Sequence, residues 1–256
     1  EPAADAQADA QTASDNSAED AAAEADSVPE DQLLSSREQF SVAAKAALLI
    51  DLNTNRVVYE QDADERVYPA SLTKIMTCLI ALENGNLSDV VTVSESALAD
   101  LDEDSSVAGL VVGEQMTLEN LLYCMMVVSG NDACNVIAEH VAGSVTDFVR
   151  MMNQRAYELG CTNTHFNNPH GLHDESHYTT ARDLAIITQA ALKSENFRQI
   201  VDTYEYKLPD DNMRQNIPKL KTTNMLIYQS MSNSLYYPRA HGIKTGYTSQ
   251  AGRCVI

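Results

Sequence analysis

The sequence predicts an α+β fold: an antiparallel sheet built from strands at both ends of the chain, plus a helical cluster between them. Three observations predict it. Two apolar, β-branched runs flank residues 53–55 near the start; two short strand-like runs, "HGIKTGYT" and "AGRCVI", lie at the end; five amphipathic segments fill the middle.

In order, "AALLIDLNTNRVVYEQ" reads as a hairpin, with Asn53 and Asn55 as turn residues. "SLTKIMTCLIALENG" has helical spacing of Leu72, Ile75, Met76, Leu79, Ile80 and Leu82, and a stop at Gly85. "VVTV" is a short strand. "TLENLLYCMMVV" is a helix capped by Thr117, with Asn120 where Glu or Gln makes a stronger capping box. "NDACNVIAEHVAG" is a helix ending at Gly143; "SVTDFVRMMNQRAYELG" and "TTARDLAIITQAALK" complete the cluster.

Composition narrows the function. The chain has 256 residues, 44% of them hydrophobic, and a net charge of -20. Residues 1–39 carry eleven acids and one base, Arg37, with no aromatic residue before Phe40. Such a stretch buries too little to offset its ordering entropy, so 1–39 is expected to be an acidic disordered tail and 40–256 the folded domain. The charge argues against a nucleic-acid partner, which needs clustered Lys and Arg. No run of 18 apolar residues is present. The chain opens without Met or an export signal, as a processed or trimmed chain does. Its five cysteines (Cys78, Cys124, Cys134, Cys161, Cys254) have no CxxC spacing; free buried thiols are expected, and no metal.

Three short motifs carry chemistry. Ser71 and Lys74, at i and i+3, share a helix face. Ser71 reads either as a helix cap, or as a nucleophile whose proton goes to a desolvated Lys74. Such a pair occurs by chance about once in a chain of this size. In "SGN", Ser129 and Asn131 are either caps between two apolar helices or a proton relay and an amide for a substrate carbonyl. In "KTG", Lys244 either guards an edge strand or fixes a substrate carboxylate, while Gly246 lets a ligand backbone lie close.

The order SxxK, SxN, KTG is that of the serine acyl-transferases that include penicillin-binding proteins and β-lactamases. Longer stretches narrow it: "AALLIDLNTNRVVYEQDADERVYPASLTKIMT", "VGEQMTLENLLYCMMVVSGNDACNVIAEHVAGS", "MNQRAYELGCTNTHFNNPHGLHDE", "YTTARDLA" and "GIKTGYTSQAGRC". Over residues 43–256 the sequence resembles the low-molecular-weight D-alanyl-D-alanine carboxypeptidases, serine penicillin-binding proteins of the bacterial cell wall. The resemblance implies a β-lactamase/DD-peptidase-like fold. It implies that Ser71 is the nucleophile, Lys74 its general base, and Ser129 the relay to the departing D-alanine. Asn131 holds the substrate amide or the Lys74 side, and Lys244 and Thr245 face the terminal carboxylate. Gly246 lies along the substrate strand, and the main-chain N–H groups of Ser71 and Tyr247 form the oxyanion hole. His170 and Asp183 occupy signature positions in support, His170 on the substrate side.

The partners implied are a peptidoglycan stem peptide ending in D-Ala-D-Ala and β-lactam antibiotics, with no cofactor, at the extracytoplasmic face of a bacterium. Two departures stand out. The family's domain continues past "AGRCVI" with a strand, often carrying a carboxylate-binding arginine, and a helix; membrane association would come through segments not in this chain. Five cysteines are also unusual for an exported protein. The rival readings are a DD-endopeptidase, a class A β-lactamase (which has SDN where this chain has SGN, and an ExxLN segment not found here), and a catalytically silent cell-wall binding module.

Overall fold

The computed structural model describes residues 42–99, 101 and 105–256. The tail expected at 1–39 lies outside the described residues. The folded unit, 43–256, opens with β1 (Ala47–Asp51) and β2 (Arg56–Gln61), an antiparallel hairpin with a register shift between Leu49 and Ile50. Its turn is set locally. The Asp51 carboxylate accepts from Asn53 N at 2.8 Å, and Asn55 takes a left-handed φ of 56°.

A tight 3-10 turn, Ala70–Thr73, leads into α1 (Lys74–Asn84). The next elements are β3 (Val90–Thr92), α2 (Glu95–Ala99), β4 (Gln115–Thr117), α3 (Leu118–Val127), α4 (Asn131–Ala142) and α5 (Val145–Glu158). Then come α6 (Ala181–Ala191), α7 (Glu195–Val201), β5 (Glu205–Tyr206), β6 (Leu220–Lys221), β7 (Thr245–Thr248) and β8 (Gly252–Val255).

Helix α1 is buried on every side from Lys74 to Ala81 because α3, α4, α5, α6 and α7 all pack on it. A helix apolar all round is stable only in such a position. Each side chain such as Leu79 or Ile80 that it buries contributes ~1.5–3 kcal/mol. Four of these five surrounding helices, all but α4, start on side-chain caps. Thr117, Ser144, Thr180 and Ser194 accept from the N–H of Asn120, Asp147, Asp183 and Phe197 at 3.2, 3.0, 3.0 and 3.3 Å. Each cap is worth about 1 kcal/mol. Gly143 closes α4 with a φ of 81°. The four cysteines Cys78, Cys124, Cys134 and Cys161 are buried free thiols in this interior, and Cys254 on β8 is free and partly exposed. Among the described residues no helix is long and apolar enough to cross a membrane.

The α+β class stands, but the sheet departs in detail from the one expected. Among the described residues the strands form four separate antiparallel pairs, β1–β2, β3–β4, β5–β6 and β7–β8. The two terminal hairpins do not join. Strand β7 instead lies against the turn that opens α1: a Cβ on Gly246 would stand 3.0 Å from Ser71 N and 3.3 Å from Pro69 O.

Candidate active site

The turn at residues 69–73 is shaped from a distance. Ala70 holds a left-handed φ of 49°, a conformation that costs an L-residue about 1–2 kcal/mol. The loop at 168–172 crosses directly over it. A Cβ on Gly171 would fall 1.8 Å from Ala70 O, and Gly171 itself has a φ of 93°. The loop is stiff: Asn168 Oδ1 accepts from Gly171 N at 2.7 Å, and Asn168 Nδ2 donates to Leu172 O at 3.0 Å. Thr77 Oγ1 donates to Pro169 O at 2.6 Å, tying the loop to α1. Ser71 therefore does not cap the helix. No side-chain cap is made at the start of the 3-10 turn or of α1, and Ser71 Oγ faces Lys74.

Lys74 is fully buried. Its Nζ lies 2.7 Å from Asn131 Oδ1, 2.8 Å from His170 O and 3.0 Å from Ser71 Oγ. Burial holds its pKa below the ordinary lysine value, opposed by the charges of Cys134 and Asp132. The partners dictate what a neutral amine does here. Asn131 Oδ1 and His170 O only accept, so they take both N–H groups. The lone pair is left for Ser71, whose hydroxyl is the one partner with a proton to give.

Asn131 is the first residue of α4, but its side chain serves Lys74 and not the helix end. Ser129 sits just before it, 5% exposed, with a left-handed φ of 64°. Neither residue makes a side-chain cap between α3 and α4.

Lys244 is 2% exposed, so the edge-guard reading gives way; a guard must stand in solvent. Its Nζ donates to Thr245 O at 3.0 Å. Burial first, then the charge of Lys74, bring its pKa down to about 7, against the charge of Cys134. Its main chain exchanges both ladder bonds with Ile256, at 3.1 and 3.0 Å. Ladder bonds alternate along an antiparallel strand, so Thr245 and Tyr247 turn their N–H and C=O away from β8. Thr245 Oγ1 meets Thr223 Oγ1 at 2.6 Å. Tyr247 is 67% exposed.

His170 contributes through its backbone carbonyl. Its ring is buried and Nδ1 accepts from Leu172 N at 3.2 Å, a loop-internal bond. Asp183 lies in support: its carboxylate accepts from Asn163 N at 3.0 Å and Thr164 Oγ1 at 2.7 Å.

Three residues outside the motif reading also build the site. Gly171 is one. Asp132 is the second: its buried carboxylate accepts from Ala108, Gly109, Leu110 and Ala133 N at 2.8, 2.9, 3.0 and 2.9 Å. A carboxylate in the first turn of an apolar helix was the available signal. His177 is the third. Its Nδ1 accepts from Asn167 N at 3.2 Å, which places the proton on Nε2, donated to Thr73 Oγ1 at 2.9 Å. The acceptor role of Nδ1 has no counterpart in the imidazolium.

Burial lowers the pKa of His177 to about 4 and, aided by Lys74, that of His170 to about 3. Both lie below the unfolded value of 6.5, so between these limits the unfolded chain binds more protons. Stability is full above pH 6.5 and is lost as pH falls toward 4; the raised pKa of Glu114 works the other way. His177 alone accounts for about 3 kcal/mol. The midpoint of thermal unfolding is therefore expected to drop by about 10 °C between pH 7 and pH 4. His177→Gln should melt lower at pH 7 but with a shallower acid slope; an unchanged midpoint from pH 7 to 5 contradicts the argument.

Sequence and fold are both similar to those of known proteins. The chain is 41% identical over 220 residues to the D-alanyl-D-alanine carboxypeptidase DacF of Bacillus subtilis, covering 83% of this chain and 53% of that protein. It is 36% identical to DacA of Escherichia coli K12, covering 82% and 51%. The chain thus spans about half the length of the curated relatives it matches. Among solved structures, the Streptomyces K15 DD-transpeptidase superposes with a TM-score of 0.75 at 32% identity, covering 84% of each chain. Penicillin binding protein 5 of Haemophilus influenzae gives 0.72 at 34%, covering 84% of this chain and 60% of that one. With the D-alanyl-D-alanine carboxypeptidase family model matching residues 33–256, the chain belongs to that family.

Proposed function

We propose that the chain is a serine D-Ala-D-Ala carboxypeptidase that removes the terminal D-alanine from peptidoglycan stem peptides through an acyl-enzyme on Ser71. The observation that carries the reading is the placement of Lys74 Nζ, fully buried, between two acceptor-only oxygens and Ser71 Oγ. Neutral Lys74 takes the Ser71 proton as Oγ bonds to the carbonyl carbon of the penultimate D-alanine. The oxygen of the tetrahedral adduct is received by the N–H groups of Ser71 and Tyr247. Collapse breaks the peptide bond, and the proton passes through Ser129 to the departing amine. Water then bonds to the ester carbonyl carbon as Lys74 takes its proton; the bond to Ser71 Oγ breaks, the shortened stem peptide leaves as its carboxylate, and Lys74 returns the proton to Oγ.

Substrate lies along β7, where Thr245 and Tyr247 turn main-chain groups away from β8 and Gly246 leaves room. The terminal carboxylate goes to Lys244, which needs an anion to hold its charge well above pH 7. A β-lactam follows the same acylation, its ring amide standing in for the peptide bond. The proposed setting is the bacterial envelope, with residues 40–256 as the peptidase domain and 1–39 as an acidic tail.

The test is D-alanine release from a Lys–D-Ala–D-Ala peptide, together with covalent labelling by a fluorescent penicillin. Both should occur in the wild type and vanish in Ser71→Ala. A folded wild type that does neither overturns the reading and favours a silent binding module. The Streptomyces K15 neighbour is by name a transpeptidase. In transpeptidation an amine replaces water as acyl acceptor. Adding a glycine-ended acceptor peptide separates the two: free D-alanine with unchanged acceptor supports hydrolysis, and a new peptide product supports transfer.

A further inference from the structure

The loop at residues 106–110 rests on the turn that carries Ser129 and Asn131, and one side chain fastens it there. Asp132 is 2% exposed, and its two carboxylate oxygens accept from three consecutive loop amides, Ala108, Gly109 and Leu110. In return, the loop's Ser106 O accepts from Asn131 N at 2.8 Å. The fit is close: a Cβ on Gly130 would stand 2.8 Å from Asp132 Oδ1 and 3.1 Å from both Ala108 Cβ and Ala108 N. The loop's outer side is also anchored, with Arg214 donating to Gly109 O at 2.9 Å and Glu114 accepting from Val111 N at 3.0 Å. Asn131 is thus gripped at its main chain by the loop, while its side chain holds Lys74 at 2.7 Å.

We infer that Asp132 is a positioning residue for acylation, holding the 106–110 loop and through it Asn131 in the register that presents Lys74 to Ser71. The inference rests on the proposed acyl-enzyme chemistry. It makes the carboxylate a two-part device. Geometry comes from its four N–H bonds. Its charge also bears on Lys74, raising that pKa against burial; Lys244, Cys134, His170, Cys124, Arg214 and Glu114 are further ionisable groups in this neighbourhood. Asp132→Asn removes both parts, since one amide nitrogen must face main-chain donors. Asp132→Glu keeps the charge but moves the carboxylate by a methylene.

The experiment measures the pH profile of Ser71 acylation by a fluorescent penicillin in the full chain. In Asp132→Asn the plateau rate should fall about tenfold or more, and the acid limb should move to lower pH by about half a unit or more as Lys74 loses a nearby negative charge. In Asp132→Glu the plateau should fall while the limb stays. A lowered melting temperature with plateau and limb both unchanged in Asp132→Asn marks a merely structural residue and overturns the inference. A wild type that does not label removes the acyl-enzyme reading instead. Hydrogen exchange on the wild type needs no variant: the amides of Ala108, Gly109 and Leu110 should be protected together, and fast exchange at all three shows that Asp132 does not hold the loop.

Discussion

Lys74→Arg is expected to lower the rate of Ser71 acylation by about 10³-fold or more while the chain remains folded. The charge is kept and the donors multiply, so a site that needed only a cation next to Ser71 would survive the change. A guanidinium, however, does not give up its proton in a protein, and it has no lone pair for the Ser71 hydroxyl. The added bulk costs about 1–3 kcal/mol in a fully packed position. Lys74→Met separates the two effects. It matches the volume without the charge, and leaves Asn131 Oδ1 and His170 O without their donor at about 1–3 kcal/mol each. Both variants should lose labelling by a fluorescent penicillin, with melting curves verifying the fold. In the wild type, the acylation rate should fall as pH is lowered through a pKa below 10.5, the ordinary lysine value. Lys74→Arg retaining a tenth of wild-type acylation would show that Lys74 is not the base.

Much of this was written in local sequence. The run of apolar residues from Leu72 to Leu82 specifies a buried helix, Thr117 caps α3, Gly143 closes α4, and the asparagines around Asp51 form the first turn. These features depend on neighbours within a few residues, which is what pattern reading sees. The features that escaped it depend on segments far apart in the chain. Ser71 looks like a cap by its position, yet the turn that holds it is bent by Ala70 under a loop a hundred residues later. Lys244 looks like an edge guard until the packing that buries it is known. Asp132 and His177 are polar residues whose partners, at 106–110 and at Thr73 and Asn167, no spacing rule connects. The terminal hairpins have the composition of one sheet, but β7 spends its face on the nucleophile turn. Motif order brought Ser71, Lys74, Asn131 and Lys244 into one list; only the fold shows Lys74 Nζ placed to serve both Ser71 and Asn131.

Gly171→Ala should produce the largest loss of any single methyl group added to this chain. Two costs add. The residue has a φ of 93°, where a side chain is strained by about 1 kcal/mol or more. The new Cβ would also fall 1.8 Å from Ala70 O and 2.4 Å from Ala70 C, closer than any non-bonded contact, so either the loop or the nucleophile turn must retreat by more than 1 Å. The loop has little freedom to do so alone, being tied by Asn168, by Thr77 to Pro169 O and by Lys74 to His170 O. Retreat of the loop pulls His170 O from Lys74; retreat of the turn moves Ser71. Either displacement is on the scale that costs about 10²-fold in rate. Gly160→Ala is the control: it has a similar φ of 82° but nothing within 4 Å of the added carbon. It should lower the melting temperature by a few degrees, as strain of about 1 kcal/mol does, and leave penicillin labelling intact. Gly171→Ala should lose both stability and labelling. Equal behaviour of the two variants would mean that backbone conformation alone, and not the crossing of the loop over Ala70, sets the need for glycine at position 171.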